Sequence, residues 1–262
     1  MNKRIVFFDI DGTLIDDDTH LIPESAVDAI HKAQKNGHIL IINTGRPNIA
    51  LDQSLKDIGF DGYICACGTY IEYNGEVIFH ASMKEKERKD VLSKIFEYAL
   101  EGVVEGPEGI FFTKGGTHRF HRVSYEYYKQ HKFPIYTFTN GDIVPFDKFI
   151  VLHRDDQDIR PFKEFAQKEY TIIQRDTTFL ELVPKAYSKA TGIQFLLDYL
   201  NIPLEQTISI GDSTNDLPML SYTKESVAMG NSNPVLFDSV TYITTDINED
   251  GIANALKHFG LI

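Results

Sequence analysis

Solid apolar runs alternate with amphipathic stretches along the first third of the chain. Ile5–Phe8 is apolar throughout and Ile39–Asn43 nearly so, while residues 24–36 place Ala26, Val27, Ile30 and Ala33 at helical spacing ahead of Gly37, a helix stop. A run that is apolar at every position, rather than at every second one, predicts a strand buried on both faces of a parallel sheet. After Thr44-Gly45-Arg46, Pro47 fits the first turn of a further helix carrying Ile49, Leu51, Leu55 and Ile58 and stopping at Gly59, and 63–66 reads as another short strand. This strand–helix alternation implies an α/β fold.

The rhythm breaks at Tyr70. Two alternating runs meet at Asn74-Gly75, which predicts a hairpin over 70–79. A charged amphipathic helix follows at 84–100. Beyond it come short strands at 103–105, 110–113, 149–152, 170–174 and 179–183, with helices near 124–131 and 161–168. After Pro184 the first pattern resumes. A helix over 188–200 has Ser188 as N-cap and Ile193, Leu196, Leu197 and Leu200 facing inward, and a strand over 207–210 ends at Gly211-Asp212. A helix over 215–220, strands at 227–229 and 242–244 and a helix over 252–259 complete the chain. The expected architecture is a doubly wound, mostly parallel, Rossmann-like α/β core from residues 1–81 and 185–262, interrupted by an inserted α+β domain at 82–184.

Composition agrees with two compact units, since the chain has 262 residues and is 42% hydrophobic. No apolar run approaches the ~20 residues that span a bilayer. The start MNKRIVFF runs straight into Asp9 and Asp11, unlike a signal peptide, so a cytoplasmic location is expected. Cys65 and Cys67, the only cysteines, are expected to alternate along one strand as reduced thiols. A formal net charge of −12 argues against nucleic acid or an anionic membrane as partner, and leaves room for a small anionic substrate at a local positive site.

The candidate chemistry begins with Asp9 and Asp11, placed where the first strand ends. Like charges a few ångströms apart repel, and a divalent cation offsets them; hard carboxylate oxygens suit Mg²⁺. Two more polar clusters, Thr44-Gly45-Arg46 and Gly211-Asp212-Ser213-Thr214-Asn215-Asp216, follow other expected parallel strands, at the sheet edge where ligands bind in open α/β folds. Lys189 falls at a helix N-terminus, where it opposes the helix dipole. An anion held at that helix end would remove the conflict.

Together FFDIDGTL, INTGRP, Lys189 and GDSTNDLPML resemble the haloacid dehalogenase-like phosphatases, and their order and spacing resemble the Cof-type branch, whose large cap is inserted between the second and third motifs. The likeness continues through AMGN at 228–231 and DINEDGIANAL near the end. It implies Asp9 as the nucleophile, Asp11 as the proton shuttle, and Thr44, the Gly45 amide and Lys189 as phosphoryl-binding groups. It also implies Arg46 and Asn215 as substrate contacts. Mg²⁺ would be held by Asp9, the Asp11 carbonyl and Asp212, with Asp216 in the outer shell. The expected substrate is a small phosphorylated metabolite, a sugar phosphate first and a phosphorylated cofactor such as flavin mononucleotide or pyridoxal phosphate next, under a cap that closes to exclude water. The expected state is a monomer or weak homodimer.

Blander readings stand beside several of these. Thr44 or Asn215 would serve as helix N-caps, Asp216 as a first-turn acid, and Arg46 as the partner of a surface acid. The basic stretch at 118–122, with Lys114, would meet the distal part of the substrate or, in the blander reading, form a solvated strand face. A phosphomutase would use the same intermediate, and a phosphorylation-regulated receiver or binding protein would also gather acids, a Thr and a Lys at a sheet edge. Ala186 and Ala190 stand where the family commonly has glycines, and Cys67-Gly68-Thr69 where it often has Asn-Gly-Ala.

Overall fold

A computed structural model describes residues 3–262. In chain order the first elements are β1 (Ile5–Phe8), α1 (Glu24–Lys35), β2 (Ile39–Asn43), α2 (Gln53–Ile58), β3 (Gly62–Cys65), β4 (Tyr70–Tyr73) and β5 (Glu76–His80). Then come α3 (Glu85–Glu97), β6 (Glu101–Gly106), β7 (Gly109–Thr113), α4 (Arg119–Gln130), β8 (Ile135–Phe138), β9 (Lys148–Leu152), α5 (Arg160–Ala166), β10 (Tyr170–Asp176) and β11 (Phe179–Pro184). The last are α6 (Lys189–Leu200), β12 (Thr207–Gly211), α7 (Leu217–Tyr222), β13 (Glu225–Ala228), β14 (Tyr242–Ile243) and α8 (Gly251–His258). The chain divides into two compact units, one of residues 1–45, 51–79 and 188–262, the other of 46–50 and 80–187.

The first unit is built on an eight-stranded sheet in the order β14-β13-β12-β1-β2-β3-β4-β5. Every pairing from β14 to β3 is parallel, and β3 with β4 is antiparallel. Alternation along β1 divides the core in two. Val6 and Phe8 pack with Ala26, Ile30, Leu55 and Ile252 from α1, α2 and α8, whereas Ile5 and Phe7 pack with Ile193, Leu196, Met219 and Leu220 from α6 and α7. Both faces of the strand are therefore dry, as its unbroken apolar run requires, and each such side chain contributes about 1.5–3 kcal/mol by leaving water.

The second unit has a six-stranded sheet, β10-β11-β9-β6-β7-β8. All of its pairings are antiparallel except β7 with β8. Val91, Leu92 and Ile95 of α3 and Phe162 of α5 bury one face with Val104, Val151 and Leu182. The other face holds Val103, Ile110, Phe112, Ile150 and Leu152, with Phe120 and Tyr125 of α4 packed against them.

Four local expectations are corrected. The helix expected to run on from Pro47 is split into a 3₁₀ turn, Asn48–Ala50, and α2, because Asp52 takes extended backbone (ψ 147°) between them. The burial explains the split: Ala50 joins Val103 and Phe112, while Leu55 and Ile58 join the core around Phe8. Residues 118–122 are not a strand face but the start of α4, with the His118 side chain accepting from the Phe120 N–H and His121 buried against the Thr113 carbonyl. Cys67 does not alternate with Cys65 on a strand, because it lies in a 3₁₀ turn with φ +55°; neither forms a disulfide, both are buried, and burial raises the thiol of Cys65. The strand β8 was not foreseen, since only Phe138 of its four residues is buried and the apolar signal is correspondingly weak. Among the described residues no helix is long and apolar enough to cross a membrane.

One row of charges lies buried in the second sheet. The Lys148 ammonium sits 2.8 Å from Glu105 and 2.6 Å from Glu181, with all three side chains at most 5% exposed. Removing the cation strands the buried Glu105 carboxylate, which burial already raises, and leaves Glu181 with Arg175 at 3.2 Å as its ion-pair partner. Lys148→Met is therefore expected to lower the unfolding free energy by about 3–5 kcal/mol in urea titrations followed by circular dichroism. Lys89→Ala, at the exposed pair with Glu85, is expected to leave the midpoint unchanged.

Candidate active site

The strands β12, β1 and β2 are neighbours within the parallel part of the sheet, so the loops that follow them leave from one edge. Backbone pairing carries the rigidity of the sheet into those loops. The Asp9 N–H donates to the Ile210 carbonyl at 3.0 Å, the Thr44 N–H to that of Ile64 at 2.8 Å, and the Met229 N–H to that of Gly211 at 3.0 Å. Functional side chains fixed this way at the carboxyl ends of parallel strands are what a ligand site of this fold class needs.

Lys189 is the hub. It opens α6 behind the Ser188 N-cap, is 2% exposed, and places its ammonium 2.6 Å from both Asp9 Oδ1 and Asp216 Oδ1. The anions that relieve its conflict with the helix dipole are thus two of the protein's own carboxylates. The Asn43 side-chain amide donates to the Lys189 carbonyl at 3.0 Å and ties the start of α6 to the end of β2.

The carboxylates are packed closely. One oxygen from each of Asp9, Asp212 and Asp216 lies within 4.8 Å of the others. Asp216 is fully buried, and its Oδ2 accepts from the N–H groups of Asp212 at 3.0 Å and Ser213 at 3.1 Å, which fixes the second acidic loop. Thr13 Oγ1 donates to Asp212 Oδ1 at 3.1 Å. Two glycines make the approach possible. Gly12, at φ +76°, would carry a Cβ 2.5 Å from Asp212 Oδ2, and a Cβ on Gly211 would fall 2.6 Å from Asp216 Oδ2.

Three acids against one ammonium leave the cluster short of positive charge. Burial, reinforced by the charge of Asp216, pushes the Asp9 carboxyl up to about 7. Burial, with Asp9 and Asp216, pushes Asp212 up to about 8. Burial alone would lower Lys189, but Asp216 and Asp9 more than offset it and hold the ammonium above its ordinary value. A set of hard oxygen donors that retains protons for lack of a cation is a set into which a divalent ion fits.

The structure therefore brings together Asp9, Asp212, Asp216 and Lys189 from the sequence candidates. The clustered carboxylates are Asp9, Asp212 and Asp216; that of Asp11 is exposed on the turn after β1, where its expected metal contact was the carbonyl. Thr44 is 1% exposed and accepts from the Cys67 N–H. It is not an N-cap, because the helical turn begins four residues on, at Asn48. Gly45 follows Thr44 in the first unit. Arg46 groups with the second unit, where its guanidinium reaches the Ala50 carbonyl at 3.5 Å. Asn215 is no cap either: it lies within the turn Thr214–Asp216, bonded to the Ser213 hydroxyl, and the capping box there is Ser213 with Asp216. Sequence reading missed Thr13 and Asn43. The signal for Asn43 was available, as the one polar residue in the fully buried β2.

The chain belongs to the haloacid dehalogenase-like hydrolases, whose family profile matches residues 6–256. It is 25% identical to 5-amino-6-(5-phospho-D-ribitylamino)uracil phosphatase YcsE of Bacillus subtilis, over 98% of this chain and 96% of that one. Among solved structures, the sugar phosphatase BT4131, described as subclass IIB of the superfamily, superposes with a TM-score of 0.83 at 28% identity, covering 99% of this chain and 100% of the other. BT1666 of Bacteroides thetaiotaomicron shares the fold with a TM-score of 0.84 at 24% identity, over 99% and 96% of the two chains.

The raised carboxyls have a consequence for the metal-free fold. In EDTA, folded Asp9 and Asp212 keep protons that the unfolded chain, titrating near 3.8, has already released. Stability from this source is present at low pH and is lost as pH rises through the folded values of about 7 and about 8. Asp212→Asn removes one of the two groups. The wild-type stability minus that of the variant, from urea titrations in EDTA, is expected to fall between about pH 5 and pH 8; a difference independent of pH would contradict the assignment.

Proposed function

We propose that the protein is a Mg²⁺-dependent phosphatase that hydrolyses a small phosphorylated metabolite, a sugar phosphate as the first class to try, through an aspartyl-phosphate on Asp9. The observation that carries this reading is the Lys189 ammonium shared between Asp9 and Asp216 at 2.6 Å in a buried cluster of carboxylates. The adjacent ammonium favours the ionised, nucleophilic form of Asp9 against the burial that raises it, and a bound cation would complete that activation. The named phosphatases among its relatives support the reaction class, and the sugar phosphatase BT4131 supports the substrate class.

A carboxylate approaching a phosphate dianion meets repulsion of about 4 kcal/mol per charge pair at 4 Å for an effective dielectric near 20. Mg²⁺ held by Asp9, Asp212 and the Asp11 carbonyl would supply the compensating charge. Asp216 keeps the Asp212 loop in place through its two N–H bonds. The Asp9 carboxylate attacks phosphorus, the ester P–O bond breaks, and Asp11 gives its proton to the leaving alkoxide. Water then attacks the phosphorus of the aspartyl-phosphate and passes a proton to Asp11, releasing phosphate and restoring Asp9. An exposed position suits Asp11, which must meet both the leaving group and water. Thr44, the Gly45 amide and Lys189 bind the phosphoryl oxygens, with Asn215 beside them. Nothing in the acidic cluster reads a sugar, and Arg46 is the candidate contact for the rest of the substrate.

Phosphate release across a panel of phosphorylated sugars and cofactors, with Mg²⁺, tests the reading. Asp9→Asn is expected to reduce turnover by at least roughly 10⁴-fold with an unchanged circular dichroism spectrum. Asp11→Asn should cost roughly 10²–10⁴-fold. EDTA should stop release and added Mg²⁺ restore it; turnover indifferent to EDTA would refute the metal requirement.

A further inference from the structure

We infer that Asn231 is a positioning residue that fixes the separation of the Asp9 and Asp212 loops, and through it the affinity of the site for its divalent cation. The chemistry rests on the phosphatase reading, and the geometry on hydrogen bonds that connect one short segment to both loops.

That segment, residues 229–233, follows β13. Three bonds tie it to the Asp212 loop. The Met229 and Asn233 N–H groups donate to the Gly211 and Asp212 carbonyls, each at 3.0 Å, and the Ser232 hydroxyl reaches the Gly211 carbonyl at 3.4 Å. One side chain ties it to the Asp9 loop. Asn231 Nδ2 donates to the Gly12 carbonyl at 2.7 Å, while its Oδ1 accepts from the Ile247 N–H at 3.1 Å. Both ends of the amide are engaged, so it cannot turn without losing a bond.

The bridge matters because of what the loops carry. Carboxylate oxygens of Asp9 and Asp212 lie within 4.8 Å of each other and of Asp216, so the like charges repel, and the charge of Asp9 helps to raise the Asp212 carboxyl. Two bonds hold the loops at cation-binding distance against that repulsion. The Thr13 hydroxyl uses an oxygen of Asp212 itself, so it draws on a ligand atom. Asn231 acts on the backbone and takes no carboxylate oxygen from the site. The permitted range is narrow, since even one methyl group on Gly12 would lie 2.5 Å from Asp212 Oδ2. A second asparagine extends the support along the same loop, with Asn248 Nδ2 donating to Asp16 Oδ2 at 2.9 Å. Asn231 lies on the surface, so truncating it removes hydrogen bonds with little loss of packing.

The test is direct Mn²⁺ binding to the full-length protein without substrate, followed by electron paramagnetic resonance, beside the Mg²⁺ concentration dependence of phosphate release. Asn231→Ala is expected to weaken Mn²⁺ binding roughly tenfold and to raise the Mg²⁺ concentration for half-maximal activity by a similar factor. At saturating Mg²⁺ the maximal rate and the substrate KM should return close to those of the wild type, an outcome a general loss of fold would not give. Asn231→Asp keeps the acceptor for Ile247 but not the donor to Gly12, and should weaken binding too; it serves as the second variant if the alanine form is unstable. Asn233→Ala removes only the side-chain cap on the Val235 N–H and should leave the affinity unchanged. Mn²⁺ affinity within twofold of the wild type in folded Asn231 variants, or no Mn²⁺ binding by the wild type, overturns the inference. If wild type binds Mn²⁺ but releases phosphate from no substrate, the phosphatase reading fails while the Asn231 comparison still stands on binding alone.

Discussion

Three carboxylates gathered at a dry sheet edge around one ammonium form an arrangement short of positive charge. The deficit shows in the raised carboxyls of Asp9 and Asp212, and the surrounding fold is organised to maintain it. Adjacent parallel strands deliver the acids from one edge, glycines let the loops approach, and Lys189 is held buried by the cap at Ser188 and by Asn43. A fold that kept such repulsion without a purpose would be less stable than one with neutral residues there. The cost is rational where a cation and a phosphoryl group are the intended guests.

The same charge balance separates residues that look alike in sequence. Asp9, Asp11, Asp212 and Asp216 all follow strands of the same sheet, yet their surroundings differ. Asp9 is paired with Lys189, Asp216 is satisfied on both oxygens by the protein, Asp212 is half-buried with one oxygen on Thr13, and Asp11 is exposed. Those four environments suit a nucleophile, a brace, a metal ligand and a proton shuttle respectively.

Much of the fold was legible because its signals are local. The strands β1 and β2 were bounded correctly from their apolar runs, Gly37 and Gly59 mark helix ends, and Asn74-Gly75 turns the hairpin. The failures came where burial is decided by distant partners. Residues 47–58 carry a helical pattern, but Ala50 and Leu55 belong to different cores and the helix breaks between them. The strand β8 has a single buried residue, so its apolar signal is weak. At the site, the candidate acids and the lysine were visible as motifs. Of their supports, Asn43 was readable as the one polar residue of the buried β2, while Thr13 and the bridging Asn231 were not, because a hydrogen bond such as that of Asn231 to Gly12, 219 positions apart, leaves no periodic trace in the chain.

The central claim is that Asp9 takes the phosphoryl group. An acyl phosphate is reduced by borohydride, so a turning-over sample quenched into borohydride and digested for mass spectrometry tests it directly. The expected result is homoserine in the peptide at position 9, absent when substrate or Mg²⁺ is omitted. Reduction at another carboxylate, or none at all while phosphate is still being released, would contradict it.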